Sequence, residues 1–466
     1  MQEAAKQDPS VTATSAKAPA MQEHHEIVVI GAGPAGAIAA ALLQRRGHKV
    51  TIFERQRFPR FSIGESLLAH CLEFVEEAGM MDAVRAAGFQ EKNGAAFACG
   101  DRYTDFDFRD KFSPGPGTTF QVLRSRFDQV LADEAARQGV QVHYEHEVVA
   151  ADFDGAEPWL EVRDVRPGAD ATPRRISTRF VLDASGYGRV LARMLDLERP
   201  SKLPPRRAIF THIEDRIDDP AFDRQKILIS VHPEHEDVWF WTIPFSNGRC
   251  SLGVVGAEEK INAAGTDLMA TLRHWVDGAP NLKRVLANAV WDTPANTIGG
   301  YSASVTSLHG RGWALLGNAA EFLDPVFSSG VTIAMHSSKL ATECLDRQLR
   351  GETVDWEADF AAPLMLGVQC FRTYVQGWYE GSFRDVVFFE NAQPQIRAMI
   401  SSILAGYAWD ERNPFVAEHE RRLAMLAEVC RGLTSRRAAQ AEAEAKAAAA
   451  ANATTETPQL ASAAAD

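Results

Sequence analysis

The run Glu26-Ile27-Val28-Val29-Ile30-Gly31-Ala32-Gly33-Pro34-Ala35-Gly36 constrains this chain more than any other stretch. Ile27 to Ile30 form an unbroken apolar run, the pattern of a strand buried on both faces. Three glycines in GxGxxG spacing follow, then AIAAALLQRRG, which reads as a helix ending at Gly47, then KVTIFER, a second strand. Strand, glycine turn, helix and strand within about 30 residues form a βαβ unit. Each glycine has its own reason. Gly31 permits the tight turn, Gly33 lets backbone approach a pyrophosphate, and Gly36 lets helix and strand pack closely. The phosphates would meet free N–H groups and the positive end of the helix dipole. Glu54 closes the second strand, where a carboxylate can accept ribose hydroxyl protons. Ala35 and Arg55 join Gly31, Gly33, Gly36 and Glu54 as candidate nucleotide contacts.

The rest of the chain divides around this unit. Residues 1–25 are polar and rich in Ala, Ser and Thr, and they are expected to be disordered, without a secretory signal. Residues 26–345 read as a discontinuous α/β domain of Rossmann type, with a β-rich substrate domain inserted at about 191–300. Residues 346–433 read as helical, and 434–466 as a disordered Ala-rich tail whose start could prolong a helix. With 466 residues and 45% hydrophobic content, the chain can build a large core. Its formal charge of −13 disfavours nucleic acid as a partner. Six scattered cysteines without CxxC spacing suggest free thiols, no metal and a cytoplasmic setting. No run is long and apolar enough for a transmembrane helix.

The glycine unit alone does not separate FAD from NAD. Three later segments, RSRFDQVLADEA, VLDASG and LLGNAAEFLDPVFSSG, occur in an order that resembles the FAD monooxygenase-like group over roughly residues 24–345. The resemblance implies cofactor contacts at Arg124, Asp183, Gly317 and Asn318. The usual pair at the last motif is Gly-Asp. Here it is Gly317-Asn318, which can still accept a hydroxyl proton but carries no charge. Asp183 and Asn318 could also be simple turn and cap residues.

Three further motifs narrow the reading. In Trp239-Phe240-Trp241-Thr242-Ile243-Pro244 the two indoles and Ile243 share one strand face, and Pro244 suggests an edge or a strand end. Phe322 to Gly330 reads FLDPVFSSG, a Ser-Ser-Gly turn entering a helix, where free N–H groups suit an anion. Lys92 stands in KNGAAFACG after a GESLL segment. Each has a plainer reading: core aromatics, a helix cap, a surface lysine.

Together these motifs resemble the flavin-dependent halogenases, with their WxWxIP, FxxPxxSxG and KxGxxFxxG signatures. The resemblance implies that Trp239 and Trp241 keep the organic substrate from the flavin, that Ser328, Ser329 and Gly330 hold the halide, and that Lys92 is catalytic. Tryptophan halogenases carry Glu just before the Ser-[Ser/Thr]-Gly turn. This chain has Phe327 there, and so resembles the halogenases of phenols and pyrroles. The implied cofactor is FAD, received as FADH2, with chloride or bromide. The implied partners are a separate flavin reductase, since no second GxGxxG suggests an NADPH site, and an aromatic substrate that is either free or tethered to a carrier protein. An aromatic hydroxylase, a geranylgeranyl-reductase-like flavoenzyme and a catalytically dead flavoprotein remain alternatives.

Overall fold

The structure is a computed structural model, and it describes residues 23–201 and 203–455. The expected disorder over 1–25 therefore lies almost wholly outside the described residues, as does 456–466 of the expected tail.

The apolar run forms the end of a strand, Glu23–Ile30, set inside an eight-stranded sheet. On one side lies Val50–Glu54, on the other Arg174–Asp183, both parallel to it. Trp313–Leu315 continues the sheet beyond Arg174–Asp183, and Gln141–Tyr144 continues it beyond Val50–Glu54. Both faces of this strand are covered, which explains the lack of alternation: the consecutive residues Ile27, Val28 and Val29 are all fully buried. Each such side chain stabilises the fold by about 1.5–3 kcal/mol. The helix Pro34–Arg45 follows, and Pro34 starts it where a missing N–H costs nothing. At Gly36 a Cβ would come within 1.9 Å of the Gly31 carbonyl oxygen, so any side chain would separate helix from strand.

The second sheet has seven strands, in the order Asn296–Gly299, Arg206–Glu214, Arg249–Ala257, Trp239–Pro244, Lys226–Val231, Gly94–Cys99, Arg102–Asp107. Its last two strands precede the expected insertion at 191–300, so that interval is too narrow for the β-rich layer. Gly94–Cys99 joins it in parallel with Lys226–Val231, a pairing that sequence periodicity does not reveal. The alternation expected for the tryptophan strand does hold. Trp239, Trp241 and Ile243 enter one core cluster, and Phe240 enters another. Pro244 is its last residue, but the strand itself lies inside the sheet.

Helix Ser329–Leu349 packs on Pro34–Arg45 and on Ala362–Glu380, Pro394–Leu404 packs on the outer strand Arg102–Asp107 of the second sheet, and His419–Thr455 follows. The last helix corrects the expectation of disorder from 434, since it continues to Thr455. Residues 431–448 of it are all exposed. This part draws instead on Ala, Glu and Lys propensity and on i,i+4 pairs such as Lys446–Glu442 at 2.6 Å. All six cysteines are free thiols. Among the described residues, no helix is long and apolar enough to cross a membrane.

Candidate active site

The C-terminal ends of the central parallel strands open onto a cavity of about 770 Å³, where open α/β sheets place their ligands. Ile30, Glu54, Ala184 and Leu316, at or just past those ends, all line it.

The glycine turn forms one part of the wall through Gly31, Gly33 and Ala35, and Gly36 lies behind them. Glu54 braces the turn from below. Its carboxylate accepts from the Ala32 N–H and the Gln56 N–H, both at 2.9 Å. Each oxygen keeps a lone pair for a ribose hydroxyl. Arg55 also lines the cavity. Arg124 reaches it while bound through two nitrogens to Asp128 at 2.7 and 3.0 Å, and it donates to the Ile63 carbonyl at 2.6 Å. This pins the loop before Glu65-Ser66. Arg60 has no motif to announce it, yet it lines the cavity 3.4 Å from Asp128. A Cβ on Gly33 would sit 3.4 Å from its guanidinium, which places a cation beside the phosphate turn.

Asp183 departs from the expected role. It is fully buried and does not line the cavity. Its oxygens accept from Ser185 N–H at 2.9 Å and Leu191 N–H at 2.7 Å, so it shapes the turn that presents Ala184, Ser185 and Gly186. Gly317 likewise lies behind the wall, with its N–H bound to Ser337 Oγ at 3.0 Å. Asn318 faces the cavity, and its Oδ1 is buried without a hydrogen-bond partner. An orphaned acceptor at this point fits a ligand donor such as a ribityl hydroxyl. The glycine turn, the Glu54 carboxylate, the Arg60 cation and this acceptor together fit FAD.

At the other end stands the Ser-Ser-Gly turn. Asp324 caps the short helix Pro325–Phe327 through the Val326 N–H at 3.0 Å. Ser328 follows in the left-handed region at φ 56°, and the long helix begins at Ser329. Ser328 and Gly330 line the cavity, while Ser329 is buried beneath them. Phe327 points into the core against Trp378 and Phe383.

Trp241 and Ile243 also line the cavity. Gly253 lies opposite Trp241 in the next strand, and the indole fills the space its side chain would need. Trp239 is set deeper. Its Nε1 donates to Tyr379 Oη at 2.9 Å, and Tyr379 Oη donates to Asp324 Oδ2 at 2.9 Å. Tyr379 comes from the helical C-terminal region, which carries no motif that would flag it.

Lys92 is not a surface lysine. It is 1% exposed, with Nζ donating to Ser66 Oγ at 2.7 Å and to the Leu67 carbonyl at 2.8 Å. The Phe108 ring lies 5.2 Å away. Burial pulls its pKa down to about 7, so the free amine is accessible near neutrality. Lys92 does not itself line the cavity; Ser66 does, and connects the two.

Comparison with known proteins places this geometry. The family described as FAD binding domain matches residues 24–359. The flavin-dependent halogenase armH3 of Armillaria mellea is 30% identical over 358 residues, covering 72% of this chain and 69% of that protein. The 1H-pyrrole-2-carbonyl-[peptidyl-carrier protein] chlorinase of Pseudomonas fluorescens is 26% identical over 434 residues, covering 88% and 95%. The crystal structure of a flavoprotein/dehydrogenase from Cytophaga hutchinsonii superposes with a TM-score of 0.84 at 44% identity, covering 88% of this chain and 99% of that one.

Proposed function

The chain belongs to the FAD-binding domain family and, within it, to the flavin-dependent halogenases of the phenol and pyrrole type, and from that premise we propose how its residues divide the reaction. When bound, reduced FAD would reduce O2 to the peroxide level, and that oxygen would oxidise chloride or bromide to hypohalous acid. The glycine turn and Arg60 would hold the pyrophosphate, Glu54 the ribose, and Asn318 a hydroxyl of the cofactor. The N–H groups around Ser328–Gly330 hold the halide.

Trp241 closes the flavin side against the aromatic substrate, and Trp239 supports it from behind. Lys92 then takes the halogen. Its amine and hypohalous acid give an N-halo lysine and water, and the arene exchanges a proton for that halogen, which regenerates the amine. The observation that carries this assignment is the burial of Lys92. Its Nζ is held by a hydroxyl and a carbonyl rather than by a carboxylate, so the neutral amine is accessible. Exclusion of water keeps hypohalous acid from escaping.

The substrate is an electron-rich phenol or pyrrole. Phe327 supports that choice, because the carboxylate position of tryptophan halogenases is here filled by a core aromatic. The carrier-tethered substrate of the Pseudomonas relative makes a carrier-bound pyrrole one candidate. A separate flavin reductase supplies the reduced cofactor. The test is an assay of wild type and Lys92→Ala with supplied FADH2, O2 and bromide against free and carrier-bound phenols and pyrroles. Mass spectrometry would show the bromine isotope doublet for wild type only. Equal halogenation by the variant would remove Lys92 from the mechanism, and a hydroxylated product formed without halide would favour direct monooxygenation.

A further inference from the structure

Asp324 has no part in the scheme above, yet it is the buried carboxyl at the halide end of the cavity. One 3₁₀ turn separates it from Ser328, and both residues line the same cavity. Its Oδ1 accepts from the Val326 N–H; its Oδ2 accepts from Tyr379 Oη at 2.9 Å and from Tyr301 Oη at 3.5 Å. Arg206, from the second sheet, does not pair with it but lies over the Tyr379 ring, 3.4 Å from its centroid. Glu321, on the same segment, is bound to Arg372 at 2.8 Å. Tyr187 lies beyond, edge-on to Phe322. The groups facing Asp324 are thus two phenols, one stacked guanidinium and a neutral peptide. A halide on the adjacent N–H groups and an ionised Asp324 would be two anions in one desolvated turn, each disfavouring the other.

The chemistry needs a proton in the same place. Oxidation of the halide balances as FADH2 + O2 + X⁻ + H⁺ giving FAD + HOX + H2O, with the halide oxidised and oxygen reduced. One proton enters with each halide.

We propose that Asp324 couples halide binding to proton uptake: the halide enters the Ser328–Gly330 turn together with one proton on the Asp324 carboxyl, and oxidation of the halide consumes that proton. The inference rests on the halogenase reading. Burial pushes this carboxyl up to about 6, with the Val326 N–H and the Tyr379 hydroxyl pulling the other way, so a neighbouring anion suffices to protonate it near neutrality. Tyr379 sets the balance, since its O–H favours the ionised form.

Calorimetric titration of the oxidised, FAD-loaded enzyme with sodium bromide tests this. The buffers are chloride-free, span pH 5 to 8 and form pairs of different ionisation enthalpy. Wild type should take up about one proton per bromide above pH 6, its affinity falling about tenfold per pH unit there. Asp324→Asn keeps an acceptor for Val326 and should bind bromide with pH-independent affinity. Tyr379→Phe should move the midpoint to higher pH. A flat wild-type profile, or a slope surviving in Asp324→Asn, overturns the proposal. Should Asp324→Asn not fold, an unmoved midpoint in Tyr379→Phe overturns it equally. Bromide binding at no pH overturns the halogenase reading along with it.

Discussion

Lys92 and Ser66 share a 2.7 Å hydrogen bond, and of the two only Ser66 faces the flavin cavity. On the proposed mechanism the serine would sit on the short route between the cavity and the Lys92 amine. Ser66→Ala should lower the halogenation rate about tenfold, on the scale of one lost hydrogen bond, while leaving FAD affinity unchanged. Ser66→Thr should recover most of the rate. Steady-state kinetics alongside flavin fluorescence titration checks both, and a parallel loss of FAD binding would make Ser66 a cofactor residue instead.

The lowered pKa of Lys92 has a signature in stability. In the unfolded chain the ammonium persists to the ordinary lysine range, whereas in the fold it loses its proton near 7. Between pH 7 and about 10 the unfolded state binds the extra proton, so stability rises with pH there; below 7 the full cost of the buried charge is present. Relative to Lys92→Met, wild type should gain about 2–4 kcal/mol between pH 7 and pH 10. Urea unfolding at both pH values measures the difference. No change across that range would mean that the ammonium is better solvated than its burial implies.

Gly253 leaves room for the Trp241 indole, whose nearest atom would lie 2.2 Å from a Cβ placed there. Gly253→Ala should destabilise the fold by about 1–3 kcal/mol through overpacking and tilt the indole off the cavity wall. The expected accompaniment is more FADH2 consumed per halogenated product. Unchanged coupling with unchanged stability would show that Trp241 can move aside without consequence.

Asn318 carries a buried acceptor without a partner. Asn318→Ala should weaken FAD binding about tenfold without lowering apo stability, because it removes a polar atom that the protein itself does not satisfy. Asn318→Asp should bind FAD at least as well as wild type. Cofactor titration with apo melting curves distinguishes this from a structural role, in which apo stability would fall first.

The glycine turn, the order of the flavin segments and the indole-bearing strand face were legible because they rest on local period and spacing. Lys92 could be picked out by its motif, but its burial could not, since that depends on Ser66 and Phe108 folding over it. Asp183 misled for a related reason: a conspicuous turn acid fits a ligand contact and a backbone brace equally well, and only the Ser185 and Leu191 N–H groups decide. Arg60 and Tyr379 left no signal. Tyr379 reaches Asp324 and Trp239 from a helix far along the chain, with nothing in its own neighbourhood to mark it.

The parallel pairing of Gly94–Cys99 with Lys226–Val231 bears on folding as well as on shape. The glycine turn is built from neighbouring residues, but Gly94–Cys99 must wait for a partner roughly 130 residues away, and the sheet under the cofactor for Trp313–Leu315. The strands around the flavin site come together only once Trp313–Leu315 is present to pair with Arg174–Asp183. A folding intermediate lacking either long-range pairing would leave strand edges unpaired, the kind of surface on which chains aggregate.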